Sequence, residues 1–310
     1  MDEGSASPLI LCAGIAVQDF MFSVDRFPTA STKAVLRDAI VTEGGCAANA
    51  AIAIVRLGAR ARFAGPLGDD AESDRINENL ARSGVDTRGI VRAAGAGASL
   101  SAVFVDDDGE RLLATRRDPG LSRARPMDPH DLLSEASIVL ADNHFPDFVR
   151  PICEAARRRN LPVILDIDRG TDRADPLLAL ASHAIFSAEA LRDTTGAAGL
   201  DQALECASAF CPGFIAATDG ANGVFFRDAG RLGHRPAFAV EAVDTLAAGD
   251  VFHAGFALGL AESRQIEEAL TFASAAAALK CEKFGGIVGA PSRAELEHFL
   301  AARQNRPRTQ

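Results

Sequence analysis

The chain has 310 residues, 48% of them hydrophobic and 24% charged, which is the composition of a globular protein. Its formal net charge of −10 argues against a nucleic acid or an anionic membrane as partner, because either would require a basic face. No apolar run approaches the ~18 residues that cross a bilayer, and the acidic first residues do not resemble a secretory signal. Six cysteines without C-x-x-C spacing predict reduced thiols in a cytoplasmic protein.

The first part of the chain predicts a buried strand followed by a candidate ligand contact. Residues 9–17 are continuously apolar, which is typical of a strand in a parallel sheet. Asp19 lies just past this run, where open α/β sheets bind ligands. By itself, Asp19 fits a turn carboxylate better than a ligand contact. Residues 1–8 and 303–310 predict disordered tails.

Two β-like segments interrupt the rest of the pattern. Residues 24–41 are polar and strand-forming, without a helical period. Residues 95–118 contain two strand-like stretches, 101–105 and 111–115, on either side of an Asp-Gly turn at residues 106–109. This arrangement predicts a β-hairpin.

A glycine pair between these segments predicts a second ligand contact. Gly44 and Gly45 open an Ala-rich helix that runs to Leu57. Paired glycines let a small polar ligand approach the backbone, and Asn49 can offer both a donor and an acceptor. Tight packing between helix and strand is the alternative role of these glycines.

The middle of the chain alternates strands and helices. Strands are predicted at 137–141, 162–167, 183–186 and 214–218, and helices at 148–159, 175–181 and 201–210. This spacing predicts a parallel sheet with helices on both faces. Polar residues follow the strands, among them residues 142–144, 166–168, Ser187 and 218–220. Such strand ends are where an α/β sheet binds ligands.

The strongest functional pattern is at residues 244–250. Ala247, Ala248 and Gly249 are small, and the apolar helix predicted over 251–260 follows them. Free N–H groups at a helix N-terminus form an anion site. Asp250 at that site can take a proton from a hydroxyl. An ordinary N-cap is the alternative role for Asp250.

Residues 244–250 and 44–51 together resemble the two signatures of the ribokinase-like (PfkB) carbohydrate kinases. The resemblance implies one domain at 9–302 with a three-layer α/β/α fold and a mostly parallel sheet. Residues 18–43 and 95–118 would form a small β-sheet lid and a homodimer interface. The implied reaction is transfer of the γ-phosphoryl group of ATP, with Mg²⁺, to a primary hydroxyl of a sugar.

The resemblance also assigns roles to individual residues. Asp250 would be the base, while the N–H groups of Ala247, Ala248, Gly249 and Asp250 hold the transferred phosphoryl group. Asp19, Gly44, Gly45 and Asn49 would contact the sugar. Ser187, Thr218, Gly220, Gly249, Gly285 and Gly286 would lie at the nucleotide, the last two in a glycine loop after a helix predicted over 266–282. Asp244 and the Leu246 carbonyl would bind a monovalent cation such as K⁺, and Glu189 would support Mg²⁺, although its surroundings depart from the family's N-x-x-E motif.

The substrate is the least determined part of the resemblance. Residues 243–246, Ser187 and residues 279–281 are similar to ketohexokinases and bacterial sulfofructose kinases, which implies a ketose. Arg116, with Arg117, and His144 would then bind an anionic group at the remote end of the sugar. A solvated arginine pair beside Asp118 is the alternative. A nucleoside kinase of the same fold and a non-catalytic sugar-binding regulatory protein are the alternative functions.

Overall fold

A large sheet covered by helices and a smaller lid sheet make up the computed structural model, which describes residues 7–28, 33, 35–107 and 111–304. The strands are β1 (Leu9–Ala13), β2 (Val17–Ser23), β3 (Asp38–Gly44), β4 (Arg60–Leu67), β5 (Asp86–Arg92), β6 (Leu100–Val105), β7 (Arg111–Arg116), β8 (Ala136–Asp142), β9 (Val163–Ile167), β10 (His183–Ser187), β11 (Phe214–Thr218), β12 (Val224–Asp228) and β13 (Arg231–Arg235). The α-helices are α1 (Cys46–Arg56), α2 (Ala71–Arg82), α3 (Pro129–Leu132), α4 (Pro146–Arg158), α5 (Pro176–Leu180), α6 (Ala188–Thr195), α7 (Leu200–Ala207), α8 (Ala248–Ala261), α9 (Ile266–Cys281) and α10 (Arg293–Gln304). Among these described helices, none is both long and apolar enough to cross a membrane.

The large sheet has the order β13-β12-β11-β10-β9-β8-β1-β4-β5, and the strands from β11 to β5 are parallel. Strand β1 is buried on both faces, because Ile10 and Cys12 face one apolar core and Leu11 and Ala13 face the other. The predicted strands of the middle of the chain are confirmed as β8 to β11. The helices predicted there are confirmed as α4, α5 and α7. Strands β12 and β13 are antiparallel and were not among the predicted strands; β12 is partly buried and β13 is mostly exposed.

The prediction of one strand over residues 9–17 is wrong, because the run contains a change of sheet. Strand β1 ends at Ala13, and the chain joins the lid as β2 from Val17. Gly14 makes this change possible with φ 152°, since a Cβ there would lie 2.0 Å from a carboxylate oxygen of Asp142. Both strands begin in buried surroundings, so apolar character alone cannot mark the break.

The lid is a sheet of order β3-β2-β6-β7, and the predicted hairpin is confirmed as β6 and β7. The turn residues 108–110 lie outside the described residues. The inner face buries Met21 and Val103 against Leu246, which immediately precedes α8. The lid is thereby held over the carboxyl ends of the parallel strands.

The chain is ordered slightly beyond the predicted limits of its tails. The Pro8 carbonyl accepts a hydrogen bond from the Arg60 N–H at 3.0 Å. At the other end, α10 includes Arg303, whose guanidinium lies 3.4 Å from the centroid of the Phe299 ring. The predicted tails at 1–6 and 305–310 lie outside the described residues.

One buried carboxylate, that of Asp142 at the end of β8, ties three segments together. Its oxygens accept hydrogen bonds from the backbone N–H of Ile15 at 2.7 Å, of Ala47 at 3.2 Å and of His144 at 3.0 Å. The side chain is 1% exposed, so water does not replace these bonds. Asp142 therefore fixes the β1–β2 connection and the start of α1 relative to the large sheet.

Replacing Asp142 by Ala is expected to lower the free energy of unfolding by about 2–4 kcal/mol, because buried N–H groups lose their acceptor. Asp142→Asn keeps one oxygen acceptor and should lose less. Urea unfolding of both variants measures this, with Glu154→Ala on the exposed side of α4 as the control. A loss for Asp142→Ala no larger than for Glu154→Ala would contradict the role assigned to this carboxylate.

Candidate active site

The start of α8 presents Asp250 and free backbone N–H groups at one place. Ala247 is the N-cap residue, with φ 63°, and makes no side-chain capping bond. Within the described part of the chain, the N–H groups of Gly249 and Asp250 have no hydrogen-bond partner. Asp250 is the third residue of the helix, so its interpretation as an ordinary N-cap is wrong. These N–H groups and the helix dipole remain available to an anion.

Asn49 connects the first turn of α1 to Asp250. Its Nδ2 donates to Asp250 Oδ2 at 2.7 Å across 201 residues of sequence. Asn49 is buried, and its Oδ1 accepts no bond from any described residue, so this oxygen can accept from a ligand hydroxyl. The helix reaches this position because Gly45 has φ 91°, where a Cβ would lie 2.7 Å from the Ile15 carbonyl oxygen.

Asp19 lies beside the same glycine pair, on the inner face of the lid. A Cβ on Gly44 would come within 2.1 Å of the Asp19 carboxylate, so this glycine leaves the space that Asp19 fills. Burial raises the pKa of Asp19 to about 7, and the charge of Asp250 adds to the shift while a hydrogen bond from Ser101 opposes it. The structure thus brings Asp19, Gly44, Gly45 and Asn49 together near Asp250.

Further carboxylates from β9 surround Asp250. A carboxylate oxygen of Asp166, one of Asp250 and the Cys46 sulfur lie within 4.8 Å of one another. Burial raises the pKa of Asp250 to about 6; the charges of Asp168 and Asp142 add to this shift, and the Asn49 hydrogen bond opposes it. A carboxylate with this pKa is a stronger base than an exposed one and is still ionised near neutral pH.

His144 and Asp168 form an ion pair at the edge of this pocket. His144 Nε2 lies 3.0 Å from Asp168 Oδ2, and both groups approach the Cys46 sulfur. Burial lowers the pKa of His144, but the hydrogen bond and charge of Asp168 outweigh it, so the net shift is upward. Arg117 extends the group, since its guanidinium lies 3.2 Å from His144 Nδ1 and 3.3 Å from the carbonyl oxygen of the same residue.

Arg116 does not contact the group formed by His144, Asp168 and Arg117. Its guanidinium pairs with Asp118 at 3.1 Å and is 62% exposed. This is the solvated pair that the sequence left open as the alternative. Of the two adjacent arginines, the structure brings Arg117 to His144.

A cleft of about 620 Å³ lies on the other side of the α8 N-terminus. Thr218, Gly220 and Gly249, three of the residues predicted at the nucleotide, line it together with apolar residues of α8 and α9. Arg111 from the lid also lines this cleft, and its guanidinium donates to the Thr245 carbonyl at 3.3 Å. The cleft and the carboxylate pocket therefore meet at Gly249 and Asp250.

Four residues predicted at the nucleotide or its metal do not line this cleft. The N–H groups of Gly285 and Gly286 instead donate to Asp244 Oδ2, at 3.1 and 2.8 Å. Ser187 caps α6, and its Oγ accepts from the Ala190 N–H at 3.1 Å. Glu189 is exposed in the first turn of α6. Since Ser187 pairs with Thr218 in the sheet, Ser187 and the first turn of α6 with Glu189 lie beside the strand that borders the cleft.

The surroundings of Asp244 do not fit an additional monovalent cation. Lys280 Nζ lies 2.9 Å from Asp244 Oδ2 and 2.7 Å from the Asp244 carbonyl oxygen, and both side chains are fully buried. Leu246 contributes its N–H, which donates to Asp244 Oδ1 at 2.8 Å, rather than its carbonyl. The carboxylate predicted as a cation ligand is thus already neutralised by an ammonium group.

Sequence reasoning did not select Asp166, Asp168, Cys46 or Lys280 as site residues. Asp166 and Asp168 follow a predicted strand, so their position was the available signal. Cys46 and Lys280 carry no such signal, because a cysteine and a lysine at helix positions are usually structural. Their roles depend on which distant residues the fold places beside them.

The chain is similar in sequence to known kinases. The model of the pfkB family carbohydrate kinases matches residues 7–293. A ribokinase of Bacillus subtilis strain 168 is 28% identical over 299 residues, which are 94% of this chain and 99% of the relative.

Solved structures share the fold as well. A crystal structure of an Agrobacterium tumefaciens protein, whose own description as a ribokinase is provisional, has 36% identity and a TM-score of 0.93, covering 97% of this chain and all of that one. The Arabidopsis thaliana ribokinase solved with ribose and ATP has 26% identity and a TM-score of 0.81, covering 96% of this chain and 99% of that one.

A lidded α/β fold with a carboxylate at a free helix N-terminus defines a phosphotransferase that acts on an alcohol. The chain belongs to the pfkB family of carbohydrate kinases. The predicted family, ribokinase-like fold and enzyme class are confirmed. The narrower resemblance to ketohexokinases and sulfofructose kinases is not shown, since these relatives are described as ribokinases.

Asp250→Asn should lower kcat by roughly 10²-fold or more, because it keeps the hydrogen bond to Asn49 but removes the base. In the wild type, kcat/KM should fall as the pH drops through about 6, where Asp250 takes up a proton. Rate profiles from pH 5 to 8 measure both effects.

The same variant gives a stability readout. The raised pKa means that ionised Asp250 destabilises the fold, so Asp250→Asn should be more stable than wild type above about pH 6. That difference should shrink as the pH falls toward the ordinary carboxyl pKa of about 3.9. Near-normal turnover of Asp250→Asn would contradict a catalytic Asp250, and unchanged stability would contradict its raised pKa.

Proposed function

We propose that this chain transfers the γ-phosphoryl group of ATP to a primary hydroxyl of a neutral sugar, with Asp250 as the general base. The observation that carries the proposal is the position of Asp250 between two spaces. The nucleotide-sized cleft borders it on one side, and the buried pocket of Asn49 and Asp19 borders it on the other.

The chemistry follows from this position. Asp250 takes the proton of the attacking hydroxyl, and the N–H groups of Ala247, Gly249 and Asp250 stabilise the charge of the phosphoryl group during transfer. The Ala248 N–H, which the resemblance also assigned to this role, donates to the Thr245 carbonyl at 3.3 Å. The free oxygen of Asn49 orients a sugar hydroxyl. Phosphoryl transfer depends mainly on such positioning and charge stabilisation.

Glu189 is the residue that we propose to support Mg²⁺. It is exposed at the carboxyl end of β10 and makes no hydrogen bond with the described residues, which suits the one or two carboxylates that Mg²⁺ takes besides water and phosphate. Bound there, Mg²⁺ would neutralise part of the phosphate charge. Arg111 is positioned on the lid side of the same cleft.

The charges of the sugar pocket favour a neutral substrate. Asp168 and Asp250 contribute the negative charge, because burial raises the pKa of Asp19 to about 7 and that of Asp166 well above its usual range. The nearby cations His144, Arg117 and Arg169 already contact Asp168, each other or backbone carbonyl oxygens. The charges of Asp168 and Asp250 would repel a sulfonate or phosphate at the remote end of the sugar. Neutral hydroxyls can donate to these carboxylates and accept from Asn49.

The finer choice of a ketose is also a proposal. It depends on the resemblance of residues 243–246, Ser187 and residues 279–281, while the relatives with similar sequences include ribokinases, a ribose-1-phosphate kinase and fructokinases. A substrate panel with D-fructose, D-ribose, an anionic ketose and adenosine separates a ketose kinase from a ribose or a nucleoside kinase.

In this panel, a neutral sugar should give ATP-dependent phosphorylation with a kcat/KM at least about tenfold above the anionic ketose. Coupled ADP release and identification of the phosphorylated carbon provide the measurement. Asp168→Asn removes one negative charge and should reduce the difference in kcat/KM between the neutral and the anionic sugar. Asp201→Asn, at an exposed position of α7, should leave that difference unchanged. Preference for the anionic ketose would contradict the neutral-sugar proposal, and no turnover of any acceptor would favour a binding protein.

The outer face of the lid is the surface that we propose for a homodimer. Phe22 and Phe104 contact each other there with ring centroids 5.2 Å apart, and Leu112 pairs with Phe104 in the adjacent strand. Val41 on the same face is 61% exposed. Exposed apolar surface of this kind favours association with a second copy.

Sedimentation equilibrium should therefore report a dimer for the wild type and a monomer for Val41→Glu/Leu112→Glu, since the introduced charges would be buried without partners. The control is Leu232→Glu on the edge strand β13, which should stay dimeric. A monomeric wild type at micromolar concentration would rule out this interface.

A further inference from the structure

The arrangement around Lys280 differs from what the family resemblance implies for Asp244. The resemblance implies a monovalent cation beside the phosphoryl site, with Asp244 as one of its ligands. In this chain the end of α9 instead places the Lys280 side chain in that position, with 0% of its surface exposed. The C-terminal end of a helix is also where the dipole favours a cation.

The contacts of the ammonium group are those that a small monovalent cation would make. Lys280 Nζ is held by the carboxylate and the carbonyl oxygen of Asp244, at 2.9 and 2.7 Å, and lies 3.4 Å from the Lys283 carbonyl oxygen. Every contact is a negatively charged or partly negative oxygen. The group carries a single positive charge.

The Asp244 carboxylate has little remaining capacity for a metal ion. Oδ2 accepts from Lys280 and from the N–H groups of Gly285 and Gly286, and Oδ1 accepts from the N–H of Leu246. A K⁺ ion would have to displace at least one of these donors. It would also meet the repulsion of a fixed ammonium at close range in a buried place.

This contact network reaches the phosphoryl site through a short piece of backbone. Asp244 fixes the N–H of Leu246, and the next residue is Ala247, the left-handed N-cap of α8. By fixing Asp244, the Lys280 ammonium therefore also fixes the turn at Leu246 and Ala247 that precedes the free N–H groups. Lys280 itself is a positioning residue, since it acts through Asp244 and Leu246.

We propose that the Lys280 ammonium takes the place of an activating monovalent cation, so that this kinase works without K⁺. The proposal extends the proposed function, because it concerns how the same phosphoryl site is ordered. Removing the Lys280 side chain should therefore create a vacancy that a soluble monovalent cation fills.

Three proteins test this: the wild type, Lys280→Ala, which opens space, and Lys280→Met, which fills the space without a charge. Each is assayed in K⁺, in NH₄⁺ and in tetramethylammonium, which is too large to enter, at equal ionic strength. Arg82→Ala is the control, because Arg82 is an exposed cation that pairs with Glu78 on α2.

The wild type and the control should show kcat values within about twofold of each other in the three salts. Lys280→Ala should lose roughly tenfold or more in tetramethylammonium and regain most of this in NH₄⁺ or K⁺, while Lys280→Met should lose activity without recovery. A merely structural lysine would give a loss that no salt reverses in either variant.

Thermal unfolding in the same salts gives a readout that does not need a known substrate. The Tm of Lys280→Ala should rise by about 3 °C or more in K⁺ or NH₄⁺, and the Tm of the wild type should not change. If no acceptor is phosphorylated, the proposed function fails. The Tm measurements still test whether Lys280 occupies a cation site. A wild type activated or stabilised by K⁺ overturns the proposal, even if the variants do not fold; so does a folded Lys280→Ala variant without any cation response.

Discussion

The uncapped start of α8 is the constraint around which the molecule is arranged. A helix usually satisfies its first N–H groups with a side chain, but here Ala247 offers none and adopts φ 63°, a conformation that costs an alanine roughly 1 kcal/mol. The free N–H groups of Gly249 and Asp250 are thus left open to an anion. The rest of the fold supplies the walls of the place where that anion must be held.

Negative charge is concentrated beside this positive helix end. Asp166 and Asp168 follow β9, Asp142 ends β8 and Asp19 comes from the lid, so the carboxyl ends of parallel strands and the lid converge on Asp250. Burial and mutual repulsion keep Asp166 and Asp250 from ionising as readily as exposed carboxylates do. The same crowding that makes Asp250 a useful base therefore destabilises the folded chain at neutral pH.

A second charge arrangement orders the approach to α8. Asp244 is buried and would be costly without a cation, and Lys280 provides one from within the chain. The Asp244 carboxylate also accepts hydrogen bonds from the backbone N–H groups of Leu246, Gly285 and Gly286. In this way the segment before α8 and the glycine loop after α9, which meet only in the folded state, are held by one neutralised ion pair.

The sequence by itself determined the fold class and the family, and it predicted Asp250 as a site residue. Alternating apolar strands and helices indicate a parallel sheet, and small residues before an apolar helix indicate an anion site at residues 247–250, because both are local patterns with a direct physical reason. It could not separate β1 from β2, since both lie in buried surroundings and an apolar run carries no mark of a change of sheet.

Only the tertiary structure decided which charges meet. Lys280 and Asp244 are 36 residues apart, and Asn49 and Asp250 are 201 apart, so no local pattern indicates either pair. In the folded chain Arg117 contacts His144, whereas its neighbour Arg116 pairs with Asp118, because the two side chains leave the end of β7 in different directions. Electrostatic energy depends on distance and burial, and the sequence specifies neither until the chain has folded.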